Sequence, residues 1–349
     1  MLDTVATQRP AITGIIDGDG HFKEHDALLY PYFDSKKYSP GDLSGYYLFP
    51  DLDGHRRAGE GEFGDDAQGW LRFLDATNIH TTVLYPTAGL GYAFIRNPEW
   101  AIDLARAYND FMSDQYVKVN SRLKAVAIIP VQDPAAAAKE LRRAVTELGL
   151  VGAVLPAPGL NMGYGDPAFD VLYKEAQSLG AMLGVHGAAY RGLGLDFPRE
   201  SDDPTGRKAL WPAHPAQPLT QMIQFCHMIG SGVFERFPDL KVAYLETGCG
   251  WVPYWVERMD AGAKRPLATN QLRNSPIYFH TELGELEGLR WFTSLYGDDR
   301  ITFASDYPHS VPVQHVVHEL AEFIESDKLT LTTKERILRD NTRALYGIK

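Results

Sequence analysis

A chain of 349 residues, 44% hydrophobic and 23% charged, is long enough for one large domain or two small ones and reads as an ordinary soluble globular protein. A formal charge of −11 argues against nucleic acid or an anionic membrane as the main partner. No segment approaches the roughly 18 apolar residues of a membrane span. The N-terminus lacks a basic region followed by an apolar run, and Cys226 and Cys249 form no CxxC pair, so the expectation is a cytoplasmic protein with reduced thiols.

The first ordered stretch is Ile15-Ile16-Asp17-Gly18-Asp19-Gly20-His21-Phe22. In an extended chain the spacing of two turns Asp17, Asp19 and His21 to one face, and the glycines between them leave room for a close approach to the backbone. Residues 23–65 follow without a period of 2 or 3.6 and carry Tyr-Pro-Tyr-Phe and Gly-Tyr-Tyr-Leu-Phe-Pro. A stretch of that length is either a lid over a pocket or a surface excursion that packs its own aromatics.

An alternation then begins. Residues 66–78 read helical, and 81–87 (TTVLYPT) read as a strand. Residues 97–120 form a long amphipathic helix opened by Asn-Pro-Glu. Strand 123–132 leads to Asp133-Pro134 and an alanine-rich helix. Strand 150–158 leads to Asp166-Pro167 and a helix ending at Gly180, and 181–187 (AMLGVHG) is the next strand. A second loop, residues 188–216, precedes a helix over 217–236. Strands 241–248, 277–282 and 301–308 follow, each with a helix after it. With the opening strand near 12–22 this gives eight strands, each followed by a helix, and apolar strands in that alternation indicate a parallel sheet. Eight such units predict an α/β fold, a single (β/α)8 TIM barrel spanning 1–349, with lid-like insertions after strands 1 and 5. The alternative, a doubly wound sheet, lacks a GxGxxG after the first strand.

Such a barrel carries its chemistry at the C-terminal ends of the strands. Those ends offer Asp19 and His21 (strand 1), His186 (strand 5), Glu246 (strand 6), His280 and Glu282 (strand 7) and Asp306 (strand 8). A single histidine there is more often a hydrogen-bonded structural group, but ligand-type side chains on this many strand ends point to a shared site. Asp19, His21, His186 and Asp306 supply two nitrogen and two oxygen donors, a set suited to one divalent metal ion, Zn²⁺ or Mn²⁺.

At this point the chain resembles the amidohydrolase superfamily, in the branch of metal-dependent decarboxylases related to aminocarboxymuconate-semialdehyde and γ-resorcylate decarboxylases. The resemblance runs over nearly the whole chain. It rests on the strand-1 motif, Val-His-Gly on strand 5, Gly-Val-Phe-Glu-Arg-Phe-Pro-Asp-Leu-Lys-Val before strand 6, Ser-Asp-Tyr-Pro-His on strand 8 and Ile-Leu-Arg-Asp-Asn-Thr-Arg-Ala-Leu-Tyr-Gly near the C-terminus. Two positions depart from it: Asp19 stands where the commonest motif has His, and Glu246 where the family often has an acid/base His.

The resemblance implies a nonoxidative decarboxylase of a hydroxylated aromatic or related unsaturated carboxylic acid. Asp306 then serves as ligand and proton carrier, and Glu246 assists in proton transfer. Arg191, His280, Glu282 and His309 are substrate-pocket candidates, Arg191 as partner of a carboxylate. The alternative is a metal-dependent hydrolase of a C–C, amide or lactone bond, with Glu246 or Asp306 as base; a hydratase and a ligand-free scaffold are further readings. The expected partner is a small-molecule carboxylic acid, and the resemblance adds a homo-oligomer, dimer or higher.

Overall fold

The computed structural model describes residues 12–45, 47–50, 61–187, 213–264, 267–281, 283–309 and 311–349. Among them, nine strands run parallel in sequence order: β1 Ile16–Phe22, β2 Thr81–Pro86, β3 Leu123–Ala125, β4 Ala127–Ile128, β5 Gly152–Pro156, β6 Met182–His186, β7 Val242–Leu245, β8 Ile277–Thr281 and β9 Ile301–Phe303. They form one sheet β1-β2-β3 and a second, β4 to β9, in chain order. Strands β3 and β4 are the two halves of the predicted third strand, parted only by Val126, whose N–H donates to Leu84 O at 3.1 Å. All eight expected strands are therefore present in an α/β fold of parallel sheets. Nearly every strand residue is buried, as strands covered on both faces require.

The helices between the strands start where the sequence placed their caps. Asp66 accepts from Gly69 N at 2.7 Å, and Asn97 from Glu99 N at 3.0 Å and Trp100 N at 3.3 Å. Asp133 accepts from Ala135 N and Ala136 N, both at 3.0 Å. In the Asn-Pro and Asp-Pro pairs the proline takes the first helical position, where its missing N–H leaves no bond unmade. The helix Asp170–Leu179 ends on Gly180, at a φ of +63° that suits glycine.

The described part of residues 23–65 packs its aromatics on the helix Pro98–Met112. Phe33 stacks on Trp100 with centroids 5.3 Å apart, and Tyr38 O–H donates to Asp103 Oδ2 at 2.6 Å. Leu29, Phe33, Leu43, Leu48 and Phe49 are buried there. The second predicted insertion falls on residues outside those described, apart from the start of the helix Ala213–Gly230.

The C-terminal segment reaches back to the first strand. Tyr346 O–H donates to Gly18 O at 2.6 Å, and the Tyr85 hydroxyl lies 2.8 Å from that of Tyr346. Both tyrosines are buried, so the Ala-Leu-Tyr-Gly motif anchors the backbone directly before Asp19. Among the described residues no helix is long and apolar enough to cross a membrane.

Candidate metal centre

The strand-1 motif does not stay regular. Pairing with β2 runs Ile16 to Thr81 and Asp17 to Thr82, then slips so that Gly20 meets Leu84. This irregularity separates Asp17 from Asp19 and His21, correcting the expectation that a spacing of two keeps all three on one face. Asp17 is fully partnered: its carboxylate accepts from Ser305 N (2.8 Å), Ser305 Oγ (2.9 Å), Thr82 Oγ1 (2.7 Å) and Asp19 N (3.3 Å). It brackets β1, β2 and the segment after β9, and has no lone pair to spare for an ion.

Asp19 and His21 point into the site, both without solvent exposure. Two backbone bonds fix their height against the end of β9: His21 N donates to Tyr307 O at 2.7 Å and Asp306 N to Asp19 O at 3.1 Å. The glycines of the motif are filled from elsewhere. A Cβ on Gly20 would meet Trp70 Cη2 at 2.6 Å, and one on Gly18 would meet Phe303 O at 3.0 Å and His280 Cε1 at 3.2 Å.

Each histidine is anchored by one ring nitrogen. His21 Nδ1 lies 3.2 Å from Pro86 O, and His186 Nδ1 lies 2.5 Å from Gly187 O. A carbonyl accepts only, so both Nδ1 atoms carry the proton and both Nε2 atoms present lone pairs or a second proton to the site. His21 Nε2 sits 2.6 Å from Glu246 Oε1, and His186 Nε2 sits 3.2 Å from the same oxygen. Asp19 Oδ1 is 3.5 Å from His21 Nε2 and its Oδ2 is 3.6 Å from His186 Nε2. Asp19, His21, His186 and Glu246 each offer one ligand atom within 4.8 Å of the others.

The electrostatics follow from that packing. Burial would pull the His186 imidazolium down, but the Glu246 and Asp19 carboxylates outweigh it and hold its pKa well above the ordinary value. Glu246 and Asp19 are in turn held below the usual carboxylate range, against their own burial, chiefly by His186 and His21. The two carboxylates thus stabilise positive charge at the centre of the cluster.

Asp306 stands at the rim, 23% exposed, with Oδ1 3.7 Å from His21 Nε2 and 3.0 Å from His309 Nδ1. Glu246 and Asp306 both have a φ of +52°, so the chain leaves β7 and β9 in the left-handed region as it presents these carboxylates. The His309 ring stacks on His21 at 3.8 Å, and its Nε2 lies 2.9 Å from Thr87 Oγ1. Thr87 is held by Glu24, which accepts from the N–H groups of Thr87 (3.1 Å), Ala88 (2.8 Å) and Gly89 (2.9 Å). Burial pushes the Glu24 carboxyl up to about 7.

Of the predicted site residues, the structure gathers Asp19, His21, His186, Glu246, Asp306 and His309. Glu246 lies inside the cluster of ligand atoms with Asp19, whereas Asp306 groups with His21, Glu246 and His309. His280 is buried against Gly18, 3.7 Å from Asp19 Oδ2, and neither of its ring nitrogens has a hydrogen-bond partner among the described residues. Arg191 and Glu282 lie outside the described residues. Glu24 and Thr87 were not singled out from the sequence, and Tyr346 only as part of the C-terminal motif, because nothing local marks a residue whose partner lies more than 60 positions away.

The donor set fits a divalent cation. Both Asp19 oxygens and His186 Nε2 are buried without a hydrogen-bond partner among the described residues. A buried carboxylate with neither oxygen bonded is unfavourable by several kcal/mol unless a cation offsets it. Imidazole and carboxylate donors around one point suit Zn²⁺ or Mn²⁺ alike.

Known proteins bear on this geometry. A gamma-resorcylate decarboxylase of Rhodococcus jostii is 27% identical over 299 residues, 80% of this chain and 86% of that protein. A 2-amino-3-carboxymuconate-6-semialdehyde decarboxylase of Dictyostelium discoideum is 26% identical over 292 residues, 80% and 76% of the two chains. The crystal structure of a Polaromonas dihydroxybenzoic acid decarboxylase with bound manganese superposes with a TM-score of 0.71 at 23% identity, covering 96% of this chain and 97% of that one. A 5-carboxyvanillate decarboxylase of Sphingomonas paucimobilis gives 0.71 at 21%, covering 97% and 100%. The amidohydrolase family model matches residues 16–348, and the chain therefore belongs to the amidohydrolase family.

Proposed function

We propose that this protein is a metal-dependent nonoxidative decarboxylase of a hydroxylated aromatic or related unsaturated carboxylic acid. The observation that carries the reading is the buried Asp19 carboxylate, neither oxygen hydrogen-bonded, facing two histidines whose Nδ1 atoms are tied to backbone carbonyls. Relatives named as decarboxylases of such acids over most of their length support it. Asp19, His21, His186 and Glu246 would hold one divalent ion, with Asp306 beside them. When bound, the ion supplies Lewis-acid and templating chemistry toward the substrate carboxylate and its neighbouring hydroxyl.

The chain's own groups do the rest. The ring carbon that bears the carboxylate must gain a proton before carbon dioxide leaves, and Asp306 carries it. His309, held between Asp306 and Thr87, keeps that carboxylate aimed into the site. The strands close into a (β/α)8 barrel, supported by the two backbone bonds that join the end of β1 to the segment after β9. The barrel works as a homo-oligomer.

The hydrolytic alternative rests on Glu246, a carboxylate 2.6 Å from His21 in the position of a base. Headspace carbon dioxide from manganese-loaded protein, incubated with a panel of ortho-hydroxylated aromatic acids, separates the two. Turnover that disappears in Asp306→Ala supports decarboxylation. No carbon dioxide from a protein that retains its metal turns the assignment to hydrolysis.

A further inference from the structure

Glu246 is held from two sides. Its Oε1 faces His21 and His186, while its Oε2 accepts a hydrogen bond from Gln217 Nε2 at 2.5 Å. Gln217 lies on the helix Ala213–Gly230, and positions 221 and 224 share its face at spacings of four and seven. Gln221, fully buried, donates from Nε2 to Leu245 O at 2.5 Å and accepts from Leu245 N at 3.0 Å. Gln224 donates to Ala157 O at 3.0 Å and accepts from Tyr164 N at 2.8 Å. This glutamine row docks the helix on the strand ends, and its first two members grip Glu246 and the residue before it.

The approach is close enough to dictate a second residue. A Cβ on Gly187 would lie 2.5 Å from Gln217 Cγ and 3.0 Å from Gln221 Nε2. The glycine that follows His186 is therefore the room into which Gln217 fits. An amide is also the apt group. It donates to a carboxylate without bringing charge, whereas a lysine would neutralise Glu246 and compete with a cation for it.

We propose that Gln217 is a positioning residue of the metal centre: its amide fixes the Glu246 carboxylate with Oε1 toward His21 and His186, and Gly187 is glycine to admit it. The inference rests on the divalent-metal reading above. Groups that orient a ligand in this way commonly change metal affinity by about 10–100-fold when removed.

Calorimetric titration with Mn²⁺ alone tests it, beside thermal unfolding of the metal-free protein. Gln217→Met keeps length and bulk but removes the donor, and is expected to weaken Mn²⁺ binding by about 10–100-fold while the metal-free melting temperature stays near wild type. Gly187→Ala, whose Cβ would press on Gln217 Cγ at 2.5 Å, should weaken Mn²⁺ binding as well. Wild-type Mn²⁺ affinity in Gln217→Met overturns the positioning role. A wild-type protein that binds no Mn²⁺ instead overturns the metal reading on which the role stands.

Discussion

Gly20 lies between the two first-strand residues of the site, and a single methyl group there tests how that site is built. In Gly20→Ala the new Cβ would fall 2.6 Å from Trp70 Cη2, 2.7 Å from Thr82 Oγ1 and 3.0 Å from Trp70 Cζ3. Ordinary contact begins near 3.4 Å, so the indole must yield by roughly 0.8 Å. It has nowhere to go. Trp70 is 2% exposed and lies edge-on to Phe73 and Tyr307, each at 5.4 Å.

Strand β1 must then shift instead, carrying Asp19 and His21 with it. Overpacking of this kind costs about 1–3 kcal/mol, and a locked indole puts this case toward the upper end. At an unfolding entropy of ~2.1 cal/mol/K per residue, 2–3 kcal/mol lowers the melting temperature by about 3–4 °C for a chain of this length. The displaced ligands should also weaken Mn²⁺ binding by about tenfold or more. Differential scanning calorimetry and Mn²⁺ titration read the two effects. Trp70→Phe in the same chain withdraws the ring edge and should recover part of both. A Gly20→Ala protein with wild-type melting and wild-type Mn²⁺ affinity would refute the claim that this glycine is dictated by the tryptophan behind the site.

Removing Mn²⁺ with a chelator should lower the melting temperature, since a ligand at 100 times its Kd stabilises by about 2.7 kcal/mol; Asp19→Asn should abolish most of that difference, and an unchanged melt in both cases would remove Asp19 from the metal site. Glu24 has a folded pKa raised from 4.5 to about 7, so the folded state holds the extra proton. Its contribution is complete below pH 4.5 and is lost as the pH rises through 7, roughly 3 kcal/mol in all. Urea midpoints measured from pH 4 to pH 8 should fall more steeply in wild type than in Glu24→Gln, and parallel curves would sink the assignment. Tyr346→Phe deletes the hydroxyl that serves Gly18 O and Tyr85, and leaving buried polar groups unpaired costs about 1–3 kcal/mol; a stability equal to wild type would show that the C-terminal tyrosine does not anchor β1.

Much of this molecule is written along the chain. Apolar strands of the right length, with Asp or Asn before Pro or an apolar run to start the helices, determined the parallel α/β alternation, because strand burial and helix capping are local matters. Chemistry at the strand ends was legible too, since His186 and Glu246 directly follow apolar runs and Asp19, His21 and Asp306 stand a few residues beyond one. The tertiary structure alone decided which of these groups meet, and on which atoms. A register slip in β1 removed Asp17 from the site that its spacing predicted for it. Glu246 joined His21 across 225 residues, and Tyr346 reached Gly18 across 328. Gln217 found Glu246 from 29 positions away only because Gly187 lets the helix come close. Sequence periodicity describes which face of one element a side chain takes, whereas the partner across a packed interface is set by register, crossing and the space that neighbouring glycines leave.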